Sequence, residues 1–491
     1  MILSIDQSTS ATKALVWALD GKLLGRADVA HKQITNSQGW VEHDGMEILN
    51  NTYKAARLAL LKANVEPELI QVIGISNQRE TAICWDKLSG LPLYNAIVWQ
   101  CGRAVDVVED LRDTEAYIRK STGLVLSPFF SAAKFAWMIK HIPEVVAAKK
   151  KGNLLCGTID SWLLFKLTGE FKTDYSNASR TQLLDLQRLQ WDNTLAEAFG
   201  LSVSCLPEIC MSDSFFGTTD LGGVLPKAIP IHGVMGDSHG ALFGNQCWEA
   251  YMAKVTYGTG SSVMMNVGDK CPCPSPTEGL AASVAWGING KVDYVLEGNI
   301  NYTGAVIKWL VDDIGLLNDS KSSGIIAQSI TDTGGVYLVP AFTGLGAPYY
   351  NNEARAAFVG MNPTTKKAHL IRAAEECIAY QIRDVVEAIN KCSGKSMQTI
   401  RADGGPTRDD FLMNFQAGIL DIPIEISPTE ELSGMGAAFC AAIAAGISDR
   451  SSLNQSRRKI EPDMDAGTRE RLYYGWKKAV QIVERGGKVS I

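Results

Sequence analysis

The chain has 491 residues, 46% of them hydrophobic and 20% charged, with a formal net charge of −6. That length exceeds what one core supports and implies about two to four domains. A mildly acidic chain without a basic stripe is a poor partner for nucleic acid, and no run of about 18 apolar residues is present to span a membrane.

The sequence opens directly on an apolar, strand-like run, without a basic and then apolar leader, so a cytoplasmic location is expected. Ile2 to Asp6 breaks into Gln7, Ser8, Thr9 and Ser10, and the apolar pattern resumes over Ala14 to Trp17. Such a hairpin presents N–H and hydroxyl groups at its tip, which makes a cradle for phosphate. Asp6, at the mouth of the cradle, is placed to hold Mg²⁺ beside phosphates or, read alone, to accept local N–H bonds in a turn. Helix-like runs (Met46 to Lys62, Ala133 to His141, Leu195 to Phe199) then alternate with strand-like ones (Val72 to Ser76, Ala82 to Trp85), the pattern of an α/β lobe. Gln78, Arg79 and Glu80 follow one of these strands; a charged donor fork beside a charged acceptor suits vicinal hydroxyls, and also a plain surface ion pair. In Val234 to Phe243, V-M-G-D-S-H-G-A-L-F, Asp237 stands between glycines ahead of an apolar helix, as a general base for a substrate hydroxyl or as a helix N-cap. His239 reads as structural or as a pocket wall.

Past Gly244 the pattern restarts. Val255 to Tyr257 runs into Gly258, Thr259, Gly260 and Ser261 and resumes over Val263 to Met265, a second copy of the first hairpin. Two phosphate cradles half a chain apart imply a nucleotide clamped between two similar lobes, 1–245 and 246–491. The Pro-rich loop carrying Cys271 and Cys273 is a poor metal site by itself, and the eleven scattered cysteines favour reduced thiols. A helix is expected from about Gly304 to Ile314, a strand from Val336 to Pro340, and a long amphipathic helix from about Lys366 to Asn390. Arg401 to Phe415 reads as strand, Gly-rich turn and helix, a turn that lets backbone approach a flat or phosphorylated ligand.

In this order the blocks GWVEHD (Gly39 to Asp44), ISNQRET (Ile75 to Thr81), YNAIVWQC (Tyr94 to Cys101), TDYSNASRT (Thr173 to Thr181), TYGTG (Thr256 to Gly260) and VPAFTGLGAPY (Val339 to Tyr349) resemble the FGGY family of carbohydrate kinases. FFSAAKFAWMIKH, Phe129 to His141, fits the family's first signature; the second, around Ala356 to Glu376, fits except at Glu375, where an apolar residue is usual. The resemblance implies an α/β, two-lobed fold of the actin and hexokinase (ribonuclease H-like) type with a deep interlobe cleft. It also implies ATP-dependent phosphorylation of a primary hydroxyl of a small polyol or sugar. Glycerol is the first acceptor to test, four- and five-carbon polyols or ketoses are the alternative, and a non-catalytic sugar-sensing protein is the reading from another class.

By the same resemblance Asp6 assists Mg²⁺, and Thr9, Ser10, Gly258 and Thr259 receive the ATP phosphates. Gly304, Lys308, Gly405 and Asp409 lie along the nucleotide. Arg79, Glu80, Trp99, Phe129, Asp237, Ser238 and Ser262 surround the alcohol, with Asp237 as the base, and a homodimer or homotetramer is the expected assembly. Members with the nearest pattern usually carry Tyr at Phe129, Gln at Ser238, an aromatic residue at Ser262, Gln at Lys308, and Ala and Asn at Pro406 and Asp409. Two large groups replaced by serines imply a wider, wetter pocket.

Overall fold

A computed structural model describes residues 1–272, 279–453 and 456–486, and Cys273 lies outside them. The strand Ile2–Gln7 is buried along its whole length, as a central strand is when both faces of its sheet are covered. It pairs antiparallel with Ala11–Trp17, which in turn pairs antiparallel with Leu23–Ala30. On its other side it runs parallel to Val72–Asn77, and that strand parallel to Ile229–Gly236. With Thr218–Thr219 at the edge, these make a six-stranded sheet. A three-stranded meander followed by two parallel strands is the ribonuclease H-like order, third, second, first, fourth, fifth.

The second sheet, of seven strands, repeats this order with one insertion. Ala253–Tyr257 pairs antiparallel with Ser261–Gly268 and parallel with Ile400–Asp403, itself parallel to Ile424–Ile426. The third meander position is taken by Lys291–Ile300, with Ala281–Ile288 outside it. Both hairpins therefore form where the sequence places them. Their strands run slightly longer than the apolar pattern, because the polar tip residues still pair: Gln7 with Thr12, and Tyr257 with Ser261.

Helices cover the sheets. Gly45–Ala63 starts at Asp44, whose carboxylate accepts the amides of Met46 and Glu47, and stops at Asn64 in the left-handed conformation. The long amphipathic helix spans Lys367–Ser393, and the helix expected to reach Ile314 ends at Asp312. Asp237–Gly244 and Leu432–Ala444 cross in close contact: a Cβ on Gly436 would lie 1.9 Å from the Gly240 carbonyl oxygen. Only glycine permits backbones that near. Although Leu432–Ala444 belongs to the second half of the chain, its Met435 and Phe439 share one core with Leu15, Trp17, Trp286 and Val295 from both sheets. No helix among the described residues is long and apolar enough to cross a membrane.

Candidate active site

The parallel strands Val72–Asn77 and Ile229–Gly236 end side by side, with Gly236 opposite Asn77. Open α/β sheets place ligands at such carboxyl ends. Arg79 and Glu80 leave the first strand and Asp237 the second, so sheet pairing brings together residues some 160 positions apart. Gly236 is the N-cap of the helix Asp237–Gly244 and Asp237 its first residue, so the Asp237 carboxylate is not a cap. It accepts the Ser238 amide at 2.6 Å and lies 3.3 Å from Arg79 Nε.

Arg79 and Glu80 are buried, which sets aside the surface ion pair. The Arg79 fork, expected to face hydroxyls, instead grips Glu297 with two bonds of 3.0 and 2.9 Å. A buried guanidinium has to be paired, and Glu297 supplies the charge from Lys291–Ile300 in the other sheet. Arg180 completes the group: its Nε donates to Glu80 at 2.6 Å and its Nη1 lies 3.1 Å from Glu297. Two guanidiniums and three carboxylates thus span the two sheets. Burial opposes ionisation of Glu297, yet Arg79 and Arg180 hold its carboxyl well below the ordinary range. Asp237 moves the other way, raised by burial with Arg79 partly offsetting it, which makes it a better proton acceptor than a surface Asp.

Of these groups Arg79, Glu80 and Asp237 open on a cleft of about 680 Å³ that Thr9, Trp99, Phe129, Ser238, Gly258, Thr259 and Ser262 also line. Trp99 Nε1 donates to Thr9 Oγ1 at 2.9 Å and its ring lies 5.5 Å from that of Phe129, so the first hairpin touches the wall that the resemblance expects to face the alcohol. Ser262 Oγ donates to Glu297 at 3.1 Å. Where the family pattern has an aromatic ring, a small hydroxyl turned toward the ion network leaves space. His239 is buried with its Nε2 3.1 Å from Ser283 Oγ, and burial pushes its pKa down, so it is neutral and structural.

Strand register builds the Asp6 surroundings. Asp6 stands opposite Lys13 on one neighbour and Ser76 on the other. Ser76 Oγ donates to it at 3.0 Å, and Lys13 Nζ lies 3.4 Å away while also pairing with Glu431 at 3.2 Å. Burial raises the Asp6 pKa, and Glu431 adds to the effect, so this carboxylate gains from a nearby cation. Among the described residues no cluster of three or more His, Cys, Asp or Glu is gathered as a metal cage.

The residues expected along the nucleotide differ from that expectation in their details. The Gly258 N–H donates to the Gly260 carbonyl at 2.9 Å and the Gly304 N–H to the Gly258 carbonyl at 3.0 Å. Both amides are engaged inside the turn, so these glycines serve close approach rather than donation to phosphate. Ser10 is exposed at the tip of the first hairpin. The Gly-rich turn adjoins the second hairpin through Gly404, with φ of 100° and a Cβ position 1.9 Å from the Tyr257 carbonyl oxygen. Gly405 then begins a short 3₁₀ turn, and Asp409 caps the helix Asp410–Leu420 by accepting the Leu412 amide at 3.0 Å. Lys308 does not line the cleft: its side chain is 78% exposed and lies 3.8 Å from Asp312, the ordinary i,i+4 pair of a solvent-facing helix surface.

Sequence reasoning missed Glu297, Arg180 and Lys13. Arg180 lies inside the block TDYSNASRT, and Glu297 is a lone acid in an apolar strand, a pattern that asks for a buried partner.

Residues 1–244 match the N-terminal domain of the FGGY family of carbohydrate kinases, and residues 253–445 match its C-terminal domain. The chain is 47% identical to glycerol kinase 1 of Thermotoga maritima over 98% of this chain and 99% of that protein. It is 44% identical to the glycerol kinase of Carboxydothermus hydrogenoformans over 98% and 97%. Among solved structures, the Plasmodium falciparum glycerol kinase with ADP superposes with a TM-score of 0.93 at 35% identity, covering 100% of this chain and 98% of that one. The xylulose kinase of Lactobacillus acidophilus shares the fold at a TM-score of 0.88 and 21% identity, covering 100% and 98%. With both family domains matched in order, and relatives this similar over nearly the whole length, the chain belongs to the FGGY family of carbohydrate kinases.

Proposed function

We propose that this kinase transfers the γ-phosphate of ATP to a primary hydroxyl of glycerol, giving glycerol 3-phosphate and ADP. The observation that carries the reading is Asp237. It is a carboxylate with a raised pKa, held by Arg79 at the edge of a cleft that the second phosphate hairpin and Thr9 of the first also line. Full-length similarity to the Thermotoga and Carboxydothermus glycerol kinases, and to a glycerol kinase that holds ADP, supports the same acceptor and nucleotide.

In this reading the acceptor lies against Trp99 and Phe129, and Asp237 takes the proton of its attacking hydroxyl as the oxygen bonds to phosphorus. The bond from phosphorus to the β,γ-bridging oxygen breaks, and ADP leaves. Thr9, Ser10 and Thr259 surround the phosphates, with Lys13 held beside Asp6, and positioning and fixed charge supply most of the rate. Asp6 fits Mg²⁺ by its chemistry, a buried oxygen donor near a second acid, Glu431, with its pKa raised by burial and by Glu431 against the pull of Lys13. When bound, the ion neutralises phosphate charge. We assign residues 1–245 and 246–491 as the two lobes, with Leu432–Ala444 as a strap from the second onto the first. A cytoplasmic homodimer or homotetramer completes the reading, and sedimentation tests the assembly.

Phosphorylation of a longer polyol or ketose has one observation in its favour, the room left where Ser262 turns toward Glu297. Rates on glycerol, erythritol, ribitol, xylitol, ribulose and xylulose separate the two. Glycerol is expected to give the highest kcat/KM, and a higher value for any five-carbon acceptor overturns the glycerol assignment.

A further inference from the structure

One buried cation near the cleft has no part in the chemistry above. Lys134, in the first turns of the helix Ser131–His141, is fully buried. Its Nζ donates backward to three successive carbonyls, those of Pro128 at 2.8 Å, Phe129, and Phe130 at 3.3 Å. An ammonium has three N–H donors, so this set is matched one to one. The arrangement is unusual for a helix start. That end of a helix repels cations, and Phe130, its N-cap, gives no side-chain cap. A buried lysine that faces the helix dipole and is compensated chiefly by backbone oxygens is retained at a cost to stability, which points to a task at those carbonyls.

The carbonyls belong to the turn that carries Phe129. Ser127 fixes the start of this turn by accepting the Phe129 amide on its Oγ at 3.2 Å. The Phe129 ring then stands 5.5 Å from Trp99 and 5.2 Å from Phe130, and the Phe130 ring lies under Arg180 at 5.2 Å. Phe129 and Trp99 line the cleft together with Asp237. Three carbonyls drawn to one nitrogen hold this turn in one conformation, and the ring direction follows from the backbone.

We propose that Lys134 is a positioning residue for substrate selection: its ammonium gathers the carbonyls of residues 128–130 and so sets the Phe129 wall against which a small polyol is held. This rests on the reading of the cleft as the alcohol site. The groups that face the ammonium are Glu80, which favours its charge, and Arg103, which opposes it, with the Cys101 thiol nearby. Burial outweighs them and brings the Lys134 pKa down to about 7. The sign is therefore defined. Below that pH the ammonium holds all three carbonyls, and above it a neutral amine has two N–H donors and releases one of them, so the wall loosens as pH rises.

The test measures KM for glycerol, KM for ATP and kcat separately between pH 6 and 9, for the full-length wild type and for Lys134→Met. The wild-type KM for glycerol is expected to rise across neutral pH while that for ATP stays level. Lys134→Met, a chain of similar length without donors, is expected to raise KM for glycerol about tenfold at pH 6.5 and to flatten that pH dependence. Its KM for ATP should stay within about twofold of the wild type. An unchanged KM for glycerol, or a parallel rise for both substrates, overturns the proposal. If the Met variant does not fold, the wild-type profile decides: a KM for glycerol that is flat through neutral pH sinks the idea. A wild type without glycerol kinase activity would instead refute the functional reading, and the two failures are thereby distinct.

Discussion

Glu297→Gln tests the ion network that joins the two sheets beneath the cleft. The Glu297 side chain has no exposed surface, and Arg79, Arg180 and Ser262 all direct donors or charge to it. Glutamine keeps the shape and one acceptor oxygen, but it removes the charge and turns an NH₂ group toward a guanidinium. Breaking a buried pair by removing one partner costs about 3–5 kcal/mol. Glu80 still pairs with Arg180 and Asp237 with Arg79, so the loss should fall near about 3 kcal/mol. Arg79 then leans on Asp237, lowers its pKa and weakens it as a base, so kcat should drop about tenfold or more. The assay is urea unfolding with kcat measured on the same preparations, and with Ser262→Ala as the control for loss of one neutral donor, worth about 1 kcal/mol. Because the folded Glu297 pKa is depressed, its contribution is present above the unfolded carboxylate's pKa and is lost as pH falls toward the folded value. The deficit of the variant should therefore shrink in acid. A Glu297→Gln protein no less stable than Ser262→Ala, with unchanged kcat, would refute the network as the element that holds Arg79 and Asp237.

Three further changes probe other links. Gly436→Ala pushes a methyl group into the Gly240 carbonyl across the helix crossing and should destabilise by about 2 kcal/mol or more in urea unfolding, with neutrality ruling out that contact. Glu375 is raised to about 8 by burial and then by Asp409, so folding takes up a proton between an unfolded pKa of about 4.3 and that value, and stability falls as pH rises through the window. Glu375→Leu, the apolar type usual at this position, should be more stable than wild type at pH 8, by a margin on the order of a few kcal/mol that narrows at pH 5; equal margins at both would contradict the shift. Ser262→Phe should fill the space beside Glu297 and reduce kcat/KM for five-carbon acceptors at least about tenfold more than for glycerol, and a uniform loss would show that Ser262 does not set pocket width.

The parts of the fold that repeat were legible in the sequence. The two hairpins announce themselves by apolar runs broken by Gly, Ser and Thr, because local turn chemistry writes them directly into the chain. Arg79 could be singled out because it follows a strand-like run, and Asp237 because it stands between glycines ahead of an apolar helix. What sequence spacing could not supply was the partner of Arg79. Glu297 lies 218 residues away, and its approach depends on how two sheets face each other, a tertiary fact without a local signature. Ser76, opposite Asp6 across parallel strands, is hidden in the same way, whereas Lys13 follows from the register of the local hairpin. Lys308 and Asp409 show the reverse case. A position carried over from a family pattern fixes the place in the helix or turn, but the changed side chain finds its own partner, Asp312 for Lys308 and the Leu412 amide for Asp409.

The central claim is that Asp237 accepts the proton of the attacking hydroxyl in ATP-dependent phosphorylation of glycerol. Asp237→Asn keeps the size of the side chain and its bond with the Ser238 amide while removing the basic oxygen. The rate of glycerol 3-phosphate formation at saturating ATP and glycerol is the direct measurement. A fall of about 10²–10⁴-fold, with nucleotide affinity within about twofold of wild type, is the predicted result. A variant that forms product at a rate close to that of the wild type would contradict the account.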